Sequence, residues 1–101
     1  MLRIRAAESI GGFSVRLTLT DGTQVERDLA GLLVGPAFDP LRTDGRAFES
    51  LRVEDGALVW ASGADLCPDV VIWGGEAPAD DAARPPGWLA PAHHPPGVEA
   101  A

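Results

Sequence analysis

Cys67 is the only cysteine of the chain and hence its only candidate thiol nucleophile. Thiolate catalysis needs a base or a positive surrounding to lower a pKa of about 8.5. The two histidines, His93 and His94, stand in a Pro- and Ala-rich stretch. A loose segment cannot hold an imidazole within hydrogen-bond reach of a thiol, so Cys67 is expected to be a partly buried structural residue. One Cys and two adjacent His do not supply four tetrahedral ligands, and no CxxC or HxxxH spacing occurs, so no metal site is expected. For general acid–base work the best local pair is Asp65 with Asp69, close in sequence to Trp60. A structural reading of that pair is favoured: an Asp in a turn accepts backbone N–H bonds, and Asp69, just after Pro68, complements a helix N-terminus. No catalytic residue and no cofactor are assigned.

Phosphate chemistry is equally poorly served. Gly11-Gly12 and Gly74-Gly75 lack the following helix and lysine of a phosphate loop. Fifteen acidic against eight basic residues give a formal charge of -7, which repels a phosphate backbone. No segment reads as a basic helix able to enter a DNA groove, so direct nucleic-acid binding is not expected. All eight basic residues are Arg, a side chain suited to planar or acidic partners, although plain compositional bias is the favoured account of the count.

The elements that must position these residues follow from periodicity. Phe13, Val15, Leu17 and Leu19 alternate with Ser14, Arg16, Thr18 and Thr20, the pattern of a strand with one buried face. The next strand is Gln24 to Asp28. A two-residue Asp21-Gly22 turn would set Leu19 against Gln24, apolar against polar. A three-residue loop, Thr20-Asp21-Gly22, with Gly22 left-handed at a bulge, instead pairs Leu17 with Val25 and Phe13 with Leu29. In the second hairpin a two-residue Asp55-Gly56 turn of type I′ sets Val53 opposite Leu58 and Leu51 opposite Trp60, which puts Trp60 on the core face. Between the hairpins, Leu29 to Val34 is expected to make a helical turn stopped by Gly35-Pro36. A short helix should run from Pro40 to about Ala47 with Asp39 as its N-cap, and Phe38, Leu41 and Phe48 should plug the sheet. Pro68 opens another short helix that carries Val70, Val71 and Trp73.

Composition changes after Trp73. Residues 74–101 hold six of the nine prolines, four glycines and eight alanines, a mixture that buries too little apolar surface to offset ordering entropy. Residues 1–73 are therefore expected to form a single small α+β domain: a mostly antiparallel sheet of two hairpins plus an N-terminal strand, with short helices packed on it. Residues 74–101 are expected to be a flexible, disordered C-terminal tail. Truncation after Gly75 should then leave stability nearly unchanged. Within the tail, Trp88 and Leu89 stand out, because Trp is a frequent interface anchor. Docking on the domain's own sheet, on a second copy and on another protein are all open to them, as is a solvated Trp in a weakly ordered tail. The chain has 101 residues and 46% apolar content, with no run near the roughly 20 apolar residues of a membrane span and no signal-peptide core in Met1 to Arg5. A cytoplasmic location without a membrane partner is expected, and the lone cysteine fits a reducing compartment.

The segment Val59-Trp60-Ala61-Ser62-Gly63-Ala64-Asp65-Leu66-Cys67-Pro68-Asp69, together with Gly35-Pro36-Ala37-Phe38-Asp39-Pro40-Leu41 and Phe48, resembles a small bacterial family, domain-of-unknown-function family 2442. That pattern runs as a Leu/Phe-rich strand, an Asp-Gly turn, Pro-x-Phe-x-x-Leu, a Phe-x-x-Val strand and Trp-x-x-Gly-x-Asp-x-x-Pro. It places an acid where Asp65 stands and a small polar cap where this chain has Cys67. Some relatives carry a DNA-binding helical region after the domain; this chain has the Pro/Ala stretch there, so repressor activity does not transfer. The resemblance implies a small uncharacterised protein without catalytic motifs, whose neighbour is another small protein in a toxin–antitoxin-like pair, this chain being the acidic, antitoxin-like member.

Three functions follow in order of preference. The first is a non-catalytic protein-interaction module whose partner is another small protein. The second is a self-assembling subunit such as a homodimer. The third is a small-ligand or substrate-binding domain, or an enzyme, with a site around Trp60, Asp65 and Cys67. Burial discriminates the last: an exposed Asp65 beside an exposed Trp60 ring favours a site, and buried, hydrogen-bonded versions favour scaffold.

Overall fold

Alternation dictates the first sheet. In the computed structural model, which describes residues 2–80 and 82–91, strands β1 (Ile4–Gly11), β2 (Ser14–Leu19) and β3 (Gln24–Asp28) form an antiparallel meander. Val15, Leu17, Leu19 and Val25 face inward and are buried. The β2–β3 register pairs Leu17 with Val25, and Leu29 N donates to Phe13 O at 2.9 Å. The loop is the expected Thr20-Asp21-Gly22, with Gly22 left-handed (φ 89°). Asp21 braces it by accepting a bond from Thr23 N at 2.9 Å.

The second sheet is smaller: β4 (Arg52–Glu54), β5 (Ala57–Val59) and β6 (Asp65–Leu66), in that order and antiparallel. Val53 lies opposite Leu58, and Asp55 and Gly56 both take positive φ (51° and 82°), as a type I′ turn demands. The two sheets meet where Ile4 N donates to Gly56 O at 3.2 Å.

Helical segments close the core between them. Within the expected turn from Leu29 to Val34, Ala30–Leu32 forms a single 3₁₀ turn, and a second covers Pro36–Phe38. The helix expected from Pro40 to Ala47 is instead two: α1 (Asp39–Thr43) and α2 (Gly45–Glu49). Asp44 breaks it, adopting an extended backbone and capping α2 by accepting from Arg46 N at 3.0 Å. Asp39 is not the cap of α1 but its first residue, where it pairs with Arg42. Leu41 and Phe48 are fully buried, with Phe38 packed beside them, so this region plugs the core as expected. Burying a side chain such as Phe48 stabilises the fold by about 1.5–3 kcal/mol.

Helix α3 (Pro68–Trp73) follows β6 directly, burying Val71 and Ile72. Cys67, at its N-cap, makes no side-chain capping bond. Gly74 ends the helix with φ 78°, the left-handed conformation that glycine alone takes at little cost.

The Pro/Ala-rich stretch is largely irregular after Gly74, but it returns to the sheet. Strand β7 (Trp88–Leu89) pairs in parallel with β3, Glu26 opposite Trp88 and Arg27 opposite Leu89, giving the order β1-β2-β3-β7. Glu26 N donates to Gly87 O at 2.7 Å, and Pro91 is buried. Of the docking sites open to Trp88 and Leu89, this is the domain's own sheet edge, and the unit that excludes water reaches Pro91 rather than ending at Trp73. The remainder of the expected tail, including His93 and His94, lies outside the described residues. No helix among the described residues is long and apolar enough to cross a membrane.

Candidate functional site

The motif from Trp60 to Pro68 is a strand–turn–strand–helix junction. Trp60 N donates to Ala64 O and Gly63 N to Trp60 O, both at 3.0 Å, which folds the chain back so that β6 pairs with β5. Gly63 sits at φ 93°, where a side chain would be strained. Trp60 is 2% exposed, and its indole N–H donates to Phe48 O at 2.9 Å. Its ring stands 5.9 Å from that of Phe48 and 6.3 Å from that of Phe38, and Phe13 meets Phe48 edge-on at 5.4 Å. Four aromatic rings thus run in a chain through the core.

The candidates around Trp60 are consequently split. Asp65 and Cys67 are exposed on either side of the buried Leu66. Cys67 was expected to be partly buried; strand alternation turns it outward, because Leu66 occupies the inward position. The indole points into the core and the carboxylate into solvent, so the two do not share a surface. Asp69 is half-buried in the first turn of α3. Among the described residues no three His, Cys, Asp or Glu side chains gather closely enough to hold a metal ion.

The outer face of the four-stranded sheet brings other residues together. Glu8 lies opposite Arg16, Arg16 opposite Glu26 and Glu26 opposite Trp88, one row across all four strands. Arg16 forks between the two carboxylates, Nη1 at 3.0 Å from Glu8 and Nη2 at 3.3 Å from Glu26. These hydrogen bonds, that to Glu8 first, raise the guanidinium pKa above its ordinary value. Beside this ladder Trp88 is 61% exposed, the most exposed large apolar side chain among the described residues. Leu89 turns the other way and is half-buried, one methyl lying 3.1 Å from where a Cβ on Gly74 would stand.

Sequence reasoning missed Arg27, which is completely buried on the inner face of β3. Its Nε donates to Val71 O at 2.9 Å and Nη2 to Ile72 O at 2.7 Å, two carbonyls at the C-terminal end of α3. Nη1 donates to Glu26 O at 2.6 Å. Burial lowers its pKa. The signal was present: the register that puts Val25 inward also puts Arg27 inward, two residues on.

Two clefts lie on the surface of the described residues. One, of about 460 Å³, lies between the β2–β3 loop and the stretch after α3, with Trp73, Leu2 and Pro78 in its walls. Its carboxylates are engaged by backbone, Asp21 by Thr23 N and Asp80 by Ala82 N, each at 2.9 Å. The other, of about 500 Å³, runs between β1 and the end of α2, lined by Ala7, Glu8, Ser9, Gly11, Glu49 and Leu51.

No family model, no curated protein and no solved structure matches this chain.

Proposed function

We propose that this chain is a non-catalytic protein-interaction module and that the outer face of its four-stranded sheet is a contact surface. The observation that carries this reading is Trp88: an indole left 61% exposed on a short strand held to β3 by backbone bonds. Exposed Trp on an ordered element is the residue type most enriched among energetic anchors at interfaces. The neighbouring Glu8–Arg16–Glu26 ladder fixes polar groups in one orientation and would supply the rim. The buried Trp60, set apart from Asp65, counts against a ligand site there. The resemblance to family 2442 points to a small neighbouring protein as partner. The charge of -7 suits a basic one, with this chain as the acidic, antitoxin-like member.

The test is co-expression of the full chain with the products of its neighbouring genes, followed by affinity capture at low and high salt, for wild type and Trp88→Ala. A stoichiometric complex that weakens with salt and is lost in Trp88→Ala is expected, because truncating an anchor costs about 2 kcal/mol or more. The variant should melt close to wild type, since the ring is mostly in water. Recovery of the chain alone, or equal capture by both forms, would overturn the proposal.

A further inference from the structure

We infer that the free edge of β1 accepts an extended basic segment of a partner polypeptide as an added strand, an inference that rests on the interaction-module reading and gives it a docking mode. β1 ends the four-stranded sheet, with β2 on one side only. On its other side the first residue is engaged, Ile4 N with Gly56 O. From Ala7 to Gly11 that edge faces the cleft of about 500 Å³, whose far wall is Glu49 and Leu51. In an antiparallel strand alternate residues direct N–H and C=O away from the paired neighbour, so such an edge is a template for another chain.

Edges of this kind are usually blunted by charged side chains, lysine above all, by proline, by bulges or by a covering element. The stretch Ala7-Glu8-Ser9 has no lysine or proline, its one charge is held by Arg16, and it is regularly paired with β2 between irregularities at Ile4/Ala6 and Ser9/Gly11. Those irregularities confine an added strand to the few residues between them.

Charge selects the occupant. Glu8 stands on the outer face of the edge strand, held by Arg16 at 3.0 Å, and Glu49 stands exposed on the opposite wall without an ion-pair partner among the described residues. Ala7 and Leu51 give the groove an apolar component. A strand alternating Lys or Arg with apolar residues meets both. A second copy of this chain would bring the same Glu8 and Glu49 and another charge of -7 against them, so self-pairing is opposed.

The experiment uses the full chain and a fluorescent peptide of about ten residues alternating Val and Lys, the length of a long strand. Its controls are the same peptide N-methylated on alternate residues and a Val/Glu counterpart. Binding is followed by anisotropy, and amide exchange is read at Ala7 to Gly11. The Val/Lys peptide is expected to bind and to slow exchange of the amides among these that point away from β2 at least about tenfold, with Glu49→Lys weakening it about tenfold and both control peptides failing. Equal binding of the N-methylated peptide would reduce the interaction to charge attraction and overturn the inference. Protection that grows with protein concentration without peptide, at the mass of a dimer, would replace the basic partner by a second copy. A Trp88-dependent complex captured from co-expression with no protection of β1 would overturn the edge inference while leaving the interaction-module reading standing.

Discussion

Replacing Arg27 with methionine tests whether one buried cation joins α3 to the sheet. The guanidinium makes three bonds to backbone carbonyls, those of Val71, Ile72 and Glu26. A helix leaves its last four carbonyls without intrahelical donors. In α3 the Val70 carbonyl is taken by Gly74 N at 2.9 Å, and those of Val71 and Ile72 depend on Arg27. Bonds from a charged donor contribute about 1.5–3 kcal/mol each, roughly 4–9 kcal/mol gross for three. Relief of the charge's burial, which costs several kcal/mol, offsets part of that sum. A net loss of about 3 kcal/mol is expected. A domain of this size has only about 5–15 kcal/mol of stability, and each kcal/mol moves Tm by about 4–8 °C, so Tm should fall by roughly 12–24 °C. Arg27→Lys separates charge from geometry, because one ammonium cannot reproduce the planar fork toward both carbonyls. It should be rescued only slightly relative to methionine. Urea and thermal unfolding followed by circular dichroism measure the loss, and exchange at the Gly74 amide locates it. A methionine variant within about 3 °C of wild type would refute the reasoning, and full rescue by lysine would show that charge rather than the fork matters.

Truncation after Gly75, which composition alone suggests is harmless, should instead lower stability by about 2 kcal/mol: it removes the Glu26–Gly87 backbone bond, the half-buried Leu89 and the buried Pro91, and it bares the β3 edge beside Arg27. An unchanged urea midpoint would show that β7 adds nothing. Asp21 gives a dependence on pH of defined sign. Its carboxyl lies below the ordinary value, first because of the bond from Thr23 N, so its contribution is fully present above the unfolded pKa of about 4 and is lost as pH falls through the lowered folded value. The Tm difference between wild type and Asp21→Asn should accordingly be constant near neutrality and change only in acid; a difference that varies between about pH 5 and 8 would contradict this assignment.

What the sequence disclosed divides along the reach of its signals. Both hairpin registers were legible, because the inward/outward period and the turn residues Asp21-Gly22 and Asp55-Gly56 act over a few residues and agree with each other. The break at Asp44 was not, although Asp-Gly is a strong cap-and-turn pair, because Pro40 suggests where a helix starts and says nothing of where it is interrupted. Trp88 and Leu89 stood out of the tail, but their pairing was not legible: a two-residue strand is held by backbone bonds to β3, distant in sequence, and Pro-rich flanks mask it. Arg27 was overlooked for the opposite reason, since its charge argued for the surface while the register already placed it inside, where α3 supplied carbonyls that no local pattern could reveal.

The segment from Trp60 to Asp69 has a wider consequence. Its Trp fills the core, its Gly63 makes the turn, and its Pro68 starts α3, so most of what makes the segment distinctive is required by the fold. A motif of that kind constrains inward positions and turns, and it leaves outward positions free to vary. Glu8, Arg16, Glu26, Glu49 and Trp88 are all outward positions outside it. Two chains could therefore share the Trp60–Asp69 pattern and the same pair of sheets yet meet different partners, because partner choice rests on side chains that the pattern does not specify.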